Sequence, residues 1–138
     1  MMVYHDCYSE EVIDNQALLF ERAVLSGYDM KEFIEGYLNS AVRERIDWRY
    51  AKDCNYLDTE LLEVFEKERK LKKSQVSFDF MLANWIGFFY AYVQDYLWIS
   101  SKEVLKRFPA KWVISKANAL HDYDIDLVIK KILGGTNL

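Results

Sequence analysis

The sequence predicts an all-α fold: a single domain, 1–138, of about six helices arranged around a central hydrophobic helix at 78–97. Three observations carry that reading. One Pro and five Gly in 138 residues leave too little turn punctuation for a many-stranded fold. An apolar fraction of 51%, with 16% aromatic, can fill a real core in a chain of this length and argues against disorder. Apolar residues recur at helical spacing through most of the chain, most densely between Phe78 and Ile99.

That stretch holds four of the eight Phe and two of the four Trp, so the other elements must surround it on most sides. Leu82, Trp85, Ile86, Phe89 and Val93 follow the spacing of one helix face, and Phe78, Met81, Phe88 and Tyr92 widen it. Trp85, Ile86 and Phe89 are expected to be nearly fully buried. Ser77 is the expected N-cap, with Asp79 in the first turn where the helix dipole favours an anion. Gly87 predicts a close approach by another helix. A membrane span needs about 20 predominantly apolar residues, and Asn84, Gln94 and Asp95 argue against one here.

Along the chain, the first helix is expected from Ser9, with Val12, Ile13, Ala17, Phe20 and Val24 as its stripe and Gly27 as its stop. Asp29 and Glu32 form a capping box for a second helix. Its apolar positions Phe33, Ile34, Tyr37, Leu38, Ala41, Val42 and Ile46 make the cleanest amphipathic pattern, expected to lie against the central helix. These two helices form an N-terminal pair, 9–51. Residues 51–55 read as a connection. A charged helix, 58–73, carries Leu61, Leu62, Phe65 and Leu71, and its basic end (Lys67, Arg69, Lys70, Lys72, Lys73) reads as a solvated face.

An aromatic-rich unit, 77–133, completes the chain. Ser100 with Glu103 is a further capping box, for a short helix over 101–108 with Val104, Leu105 and Phe108 inward. Pro109 suits the start of the next helix, which runs to His121. Asp122 or Asp124 caps the last helix, with Ile125, Val128, Ile129 and Ile132 as its buried stripe. Gly134 and Gly135 end it, before a frayed tail at 136–138.

The chemistry-bearing residues are sparse. A net charge of −4 gives no general attraction to nucleic acid. A helix-turn-helix would need 110–120 as its recognition helix, but that segment offers only Lys111 and Lys116 as cations beside Trp112. Two Cys, Cys7 and Cys54, without CxxC spacing fit reduced thiols in the cytoplasm, and the polar start Met1–Asp6 does not read as a secretory signal. His5, Asp6 and Cys7 are a metal trio on paper only, and His121, Asp122, Asp124 and Asp126 read as helix-end residues before they read as metal ligands or acid–base groups. His121 is expected to pack on the 101–108 helix or to bond near the Ser100 cap. No catalytic residue, metal or cofactor is assigned.

From Phe80 to Ile132, the order Tyr90, Ile99-Ser100-Ser101-Lys102-Glu103-Val104, Phe108, Ala119-Leu120-His121, Ile129 and Ile132 resembles a family of short, uncharacterised bacterial proteins. Those carry a Ser-Ser/Gly-Lys-Glu-Val segment and, some way on, a Leu-His pair before a final amphipathic helix. This chain has Ser101 where the family commonly has Gly. The segment Phe33–Ser40 also looks like longer members of that family. The genes of that family sit beside genes for ADP-ribosyltransferase-like proteins, in toxin–antitoxin-like arrangements.

Two functions follow. The resemblance, with an aromatic surplus and no catalytic cluster, implies a non-enzymatic interaction protein, antitoxin-like or an accessory partner of a toxin. Its anchors would be aromatic or Arg residues outside the strongest stripes: Trp48, Arg49, Tyr50, Tyr96 and Trp98, each of which could instead be core. The alternative is a ligand-binding or enzymatic helical domain using His121 and nearby aspartates. A protein partner is expected and a homo-oligomer is left open; nucleic acid and membrane are not expected.

Overall fold

The computed structural model describes residues 7–133, with side chains from Glu10 onward. Nine helices occur among these residues: α1 (Cys7–Leu25), α2 (Met30–Leu38), α3 (Ala41–Asp47), α4 (Ala51–Cys54), α5 (Asp58–Glu68), α6 (Phe80–Leu97), α7 (Ser101–Arg107), α8 (Ala110–Leu120) and α9 (Ile125–Leu133). They pack as one compact all-α domain with no strand among the described residues; the lone β-bridge joins Tyr28 to Lys73. No described helix is long and apolar enough to cross a membrane.

The central helix is α6, and its principal neighbour is α1 rather than the helix after Asp29. Gly87 is the reason. A Cβ there would stand 2.6 Å from the Gln16 carbonyl oxygen and 3.0 Å from Ala17 Cα, so only glycine admits this backbone approach. Asn84 Nδ2 donates to Glu21 Oε2 at 3.0 Å one turn away, which makes the pair antiparallel. The close approach expected from Gly87 is present; the expected partner is corrected.

Two aromatic clusters fill the core. Phe20, Phe33, Tyr37 and Phe65 meet edge-on or stacked at 5.4–6.0 Å between ring centres, joining α1, α2 and α5. Phe89, Tyr90 and Phe108 join α6 to the end of α7, where the Tyr90 hydroxyl donates to the Phe108 carbonyl at 2.6 Å. Fully burying a side chain of this size contributes about 1.5–3 kcal/mol. Burial pushes the Tyr37 and Tyr90 hydroxyls well above the usual phenol range. Trp85 differs from expectation. It is half-buried, stacked on Phe89 at 5.2 Å, while Ile86 and Phe89 are fully enclosed.

Other expectations shift at the level of helix ends. Ser9 lies inside α1, which already includes Cys7. The amphipathic run after Asp29 is two helices, because Ser40 turns extended (φ −76°, ψ 159°) and its Oγ accepts the Arg43 N–H. Glu68, reaching over from α5, completes the break by accepting from Ala41 N at 2.7 Å and Val42 N at 3.1 Å. Its carboxylate sits at a helix N-terminus, where the exposed N–H groups favour an anion. Residues 51–54 form one helical turn, and α5 ends at Glu68 rather than continuing to 73. Asp79, not Ser77, caps α6, accepting from Met81 N and Leu82 N.

The caps expected at Ser100 and Asp124 are present: Ser100 Oγ accepts from Glu103 N, and Asp124 Oδ1 from Asp126 N. Pro109 immediately precedes α8, which ends at Leu120 with His121 as its cap. The expected helix stop at Gly134–Gly135 and the tail at 136–138 lie outside the described residues.

Candidate functional site

Four charged or amide side chains lie where the sequence offers no obvious place for them, inside the domain. Arg43 is 1% exposed, Asp47 2%, Gln16 1% and Gln94 0%. An isolated buried charge is costly, so each must be paired and hydrogen-bonded. Arg43 spreads its guanidinium over three partners: Nε donates to Gln16 Oε1 (2.8 Å), Nη1 to Asp47 Oδ1 (2.9 Å) and Nη2 to Gln94 Oε1 (3.0 Å). Gln94 Nε2 also donates to Asp47 Oδ1, and Gln16 Nε2 donates to the Gly87 carbonyl at 2.9 Å. Asp47 Oδ2 accepts the backbone N–H of Ser101 at 2.9 Å. The network therefore ties α1, α3, α6 and the first turn of α7 to one point. Gln94, one of the polar residues that argue against a membrane span, lies in this core.

Two helix ends emerge beside that point, and both carry strained backbone. Helix α3 ends with Arg49 N bonded to Ile46 O and Tyr50 N to Arg45 O, a Schellman closure that puts Arg49 in the left-handed region (φ 61°). Helix α6 also ends on a left-handed residue, Trp98 (φ 58°, ψ 48°), although there Trp98 N and Ile99 N both bond to Gln94 O instead of forming the Schellman pair. The Schellman closure after α1 uses Gly27 (φ 88°), the residue suited to it. A Cβ-bearing residue in that region costs roughly 1–2 kcal/mol.

The residues singled out from sequence cluster at these ends. Trp48 is 54% exposed, Tyr50 57%, Tyr96 49% and Trp98 42%, while Arg49 is half-buried. A shallow groove of about 250 Å³ runs between the end of α3 and the start of α7, lined by Glu44, Asp47, Trp48, Ser100, Ser101 and Lys102. Of the five residues, Trp48 alone lines it; Trp98 stands two residues before Ser100 in the chain. Lys102 Nζ and Glu44 Oε1 pair at 3.2 Å, with both side chains about half exposed.

The His121 constellation takes a different form from the one expected. Its Nδ1 lies 3.1 Å from Ala117 O and 2.9 Å from Asn118 O, so the ring closes the end of its own helix rather than reaching the Ser100 cap. Nε2 is 3.3 Å from Asp122 Oδ1, on an exposed carboxylate. Asp126 accepts from the Tyr92 hydroxyl and so joins α9 to α6. Among the described residues no group of three His, Cys, Asp or Glu side chains is placed to hold a metal ion. His5-Asp6-Cys7 lies outside the described side chains. Cys54 is a buried free thiol pointing at the Ile46 carbonyl, 3.5 Å away.

Sequence reasoning misses the Arg43 network. Arg43 and Asp47 each follow an apolar residue of the buried stripe, Val42 and Ile46, by one position, and they are four apart. That spacing places them side by side along the edge of the stripe, the one signal that could have marked them. No family model, curated protein or solved structure matches the chain.

Proposed function

We propose that this domain is a non-enzymatic interaction module that docks a partner protein through the exposed aromatics at the ends of α3 and α6. The supporting observation is that Trp48, Tyr50, Tyr96 and Trp98 are each more than 40% exposed at the ends of α3 and α6, whereas among the other described aromatics Phe80 and Tyr123 alone are so exposed. Trp and Tyr left in solvent beside a rigid polar core resemble binding anchors, which concentrate interface energy in a few aromatic or Arg residues. The backbone strain at Arg49 and Trp98 adds to this, because such conformations tend to persist where a site uses them.

The partner proposed is an ADP-ribosyltransferase-like toxin encoded nearby, with this protein acting in the cytoplasm as its antitoxin or accessory. This rests on the likeness of Ser100–Val104 and Leu120-His121 to the bacterial family described above. The buried free Cys54 fits a reducing setting. A standard interface would cover about 800 Å² on each side. A reading built on His121 gains no support, since its Nδ1 is engaged by carbonyls of its own helix.

The experiment is co-expression of the adjacent gene with the wild-type chain, Trp48→Ala or Trp98→Ala. Growth rescue by wild type and its loss in a variant that still melts cooperatively is the expected outcome. If no complex forms between the chain and the neighbouring product, the toxin assignment fails.

A further inference from the structure

We infer that the groove between α3 and α7 receives an arginine side chain of the partner, held by Glu44 and stacked on Trp48. This rests on the docking reading above and adds the chemistry of the residue received. Three features of the groove converge on a guanidinium. Its volume, about 250 Å³, suits one side chain and falls below the usual size of a small-molecule site. Trp48 lines it and is 54% exposed, and an indole face is the best aromatic surface for a cation, with Arg its commonest guest. Of the two carboxylates in the lining, Asp47 has both oxygens taken, Oδ1 by Arg43 and Gln94 and Oδ2 by Ser101 N. Glu44 is the anion left for a ligand.

The present partner of Glu44 is easily exchanged. Lys102 meets it at 3.2 Å with 53% and 51% side-chain exposure, and such surface pairs are weak. An incoming guanidinium presents a planar fork that matches a carboxylate in two parallel hydrogen bonds, which a lysine ammonium cannot. Lys102 then acts as a stand-in cation, competing for the same carboxylate. The sign of its removal is therefore the distinguishing feature: a neutral residue at 102 strengthens arginine binding, whereas it would abolish binding of an acidic side chain.

The test is titration of the full chain with three blocked tripeptides, acetyl-Gly-X-Gly-amide with X as Arg, Lys or Glu, followed by amide and indole N–H shifts in NMR. The Arg peptide should shift the Trp48 indole and the Ser101–Lys102 amides. Glu44→Gln should weaken it roughly threefold or more, and Lys102→Gln should strengthen it by about twofold, the scale expected for exposed charge pairs and cation–π contacts. Preference for the Glu peptide, lost in Lys102→Gln, would overturn the proposal in favour of an acidic guest. The absence of shifts with any peptide would also overturn it. A partner complex that forms equally well with Glu44→Gln leaves the docking surface standing and removes only the arginine.

Discussion

The carbonyl oxygen of Gln16 occupies the space a Cβ would need at Gly87, and the Gln16 side-chain amide donates back to the Gly87 carbonyl at 2.9 Å. The two residues thus fix the α1–α6 crossing twice, once by excluding any side chain at 87 and once by a buried hydrogen bond. Gly87→Ala gains helix propensity of about 1 kcal/mol. The contact at 2.6 Å must open, however, and overpacking of this kind costs about 1–3 kcal/mol. Net destabilisation is expected, read as a lower midpoint in urea with an unchanged slope. A midpoint at or above wild type would mean that the helices part without loss.

The Arg43–Asp47 pair gives the largest expected effect of a single substitution. Asp47→Ala strands Arg43, 1% exposed, with an uncompensated charge, and it removes the acceptor for Ser101 N. Breaking a buried pair from one side costs about 3–5 kcal/mol. Replacing both members with apolar residues of similar volume, Arg43→Met with Asp47→Leu, should cost less than Asp47→Ala alone. Paired denaturation curves test this; equal losses in the single and double variants would show that the charge itself is not what the network neutralises.

At Trp98 the left-handed backbone predicts a reversal of the usual Ala–Gly order. Trp98→Ala and Trp98→Gly lose the same ring contacts, so their difference isolates the backbone. With φ at 58°, the Gly variant should be the more stable of the two by about 1 kcal/mol. Inside a regular helix the order would be the opposite. Thermal melts of the two proteins decide it.

High pH should loosen two tertiary clamps. The Tyr28 phenol is pushed up to about 12, first by its hydrogen bond to Glu66, then by burial and the Glu66 charge. Tyr92 is also raised to about 12, first by its hydrogen bond to Asp126, then by burial. The folded state holds these protons more tightly than the unfolded chain, whose tyrosines titrate near 10. The stabilisation is therefore fully present below about pH 10 and is lost as pH rises towards 12. Stability measured across that window should fall less steeply for Tyr28→Phe with Tyr92→Phe than for wild type, with tyrosinate absorbance following the same transition.

How much of this is legible in the sequence depends on whether the signal is local. The all-α class and the existence of the central helix follow from apolar periodicity and the scarcity of Gly and Pro. The stretch from Ser100 to Leu120 is legible almost to the residue, because Ser100 and Pro109 act on backbone groups within one turn of themselves. The exposure of Trp48, Tyr50, Tyr96 and Trp98 is not legible in the same way: standing outside the apolar stripes left each of them free to be core or surface.

The break at Ser40 is harder, since the apolar spacing runs through it unchanged and the deciding carboxylate, Glu68, comes from 27 residues away. Which helix lies on α6 also escapes periodicity. An amphipathic stripe announces that a face will be buried, whereas the choice of neighbour at Gly87 depends on how closely two backbones can approach. The same reason hides the site. Arg43, Asp47, Gln16 and Gln94 each look like surface residues on their own helices; only three-dimensional convergence supplies the partners that make their burial affordable and set the groove beside Trp48. Local chemistry determined the helices of this protein, and long-range packing decided which of them meet and what their ends present to solvent.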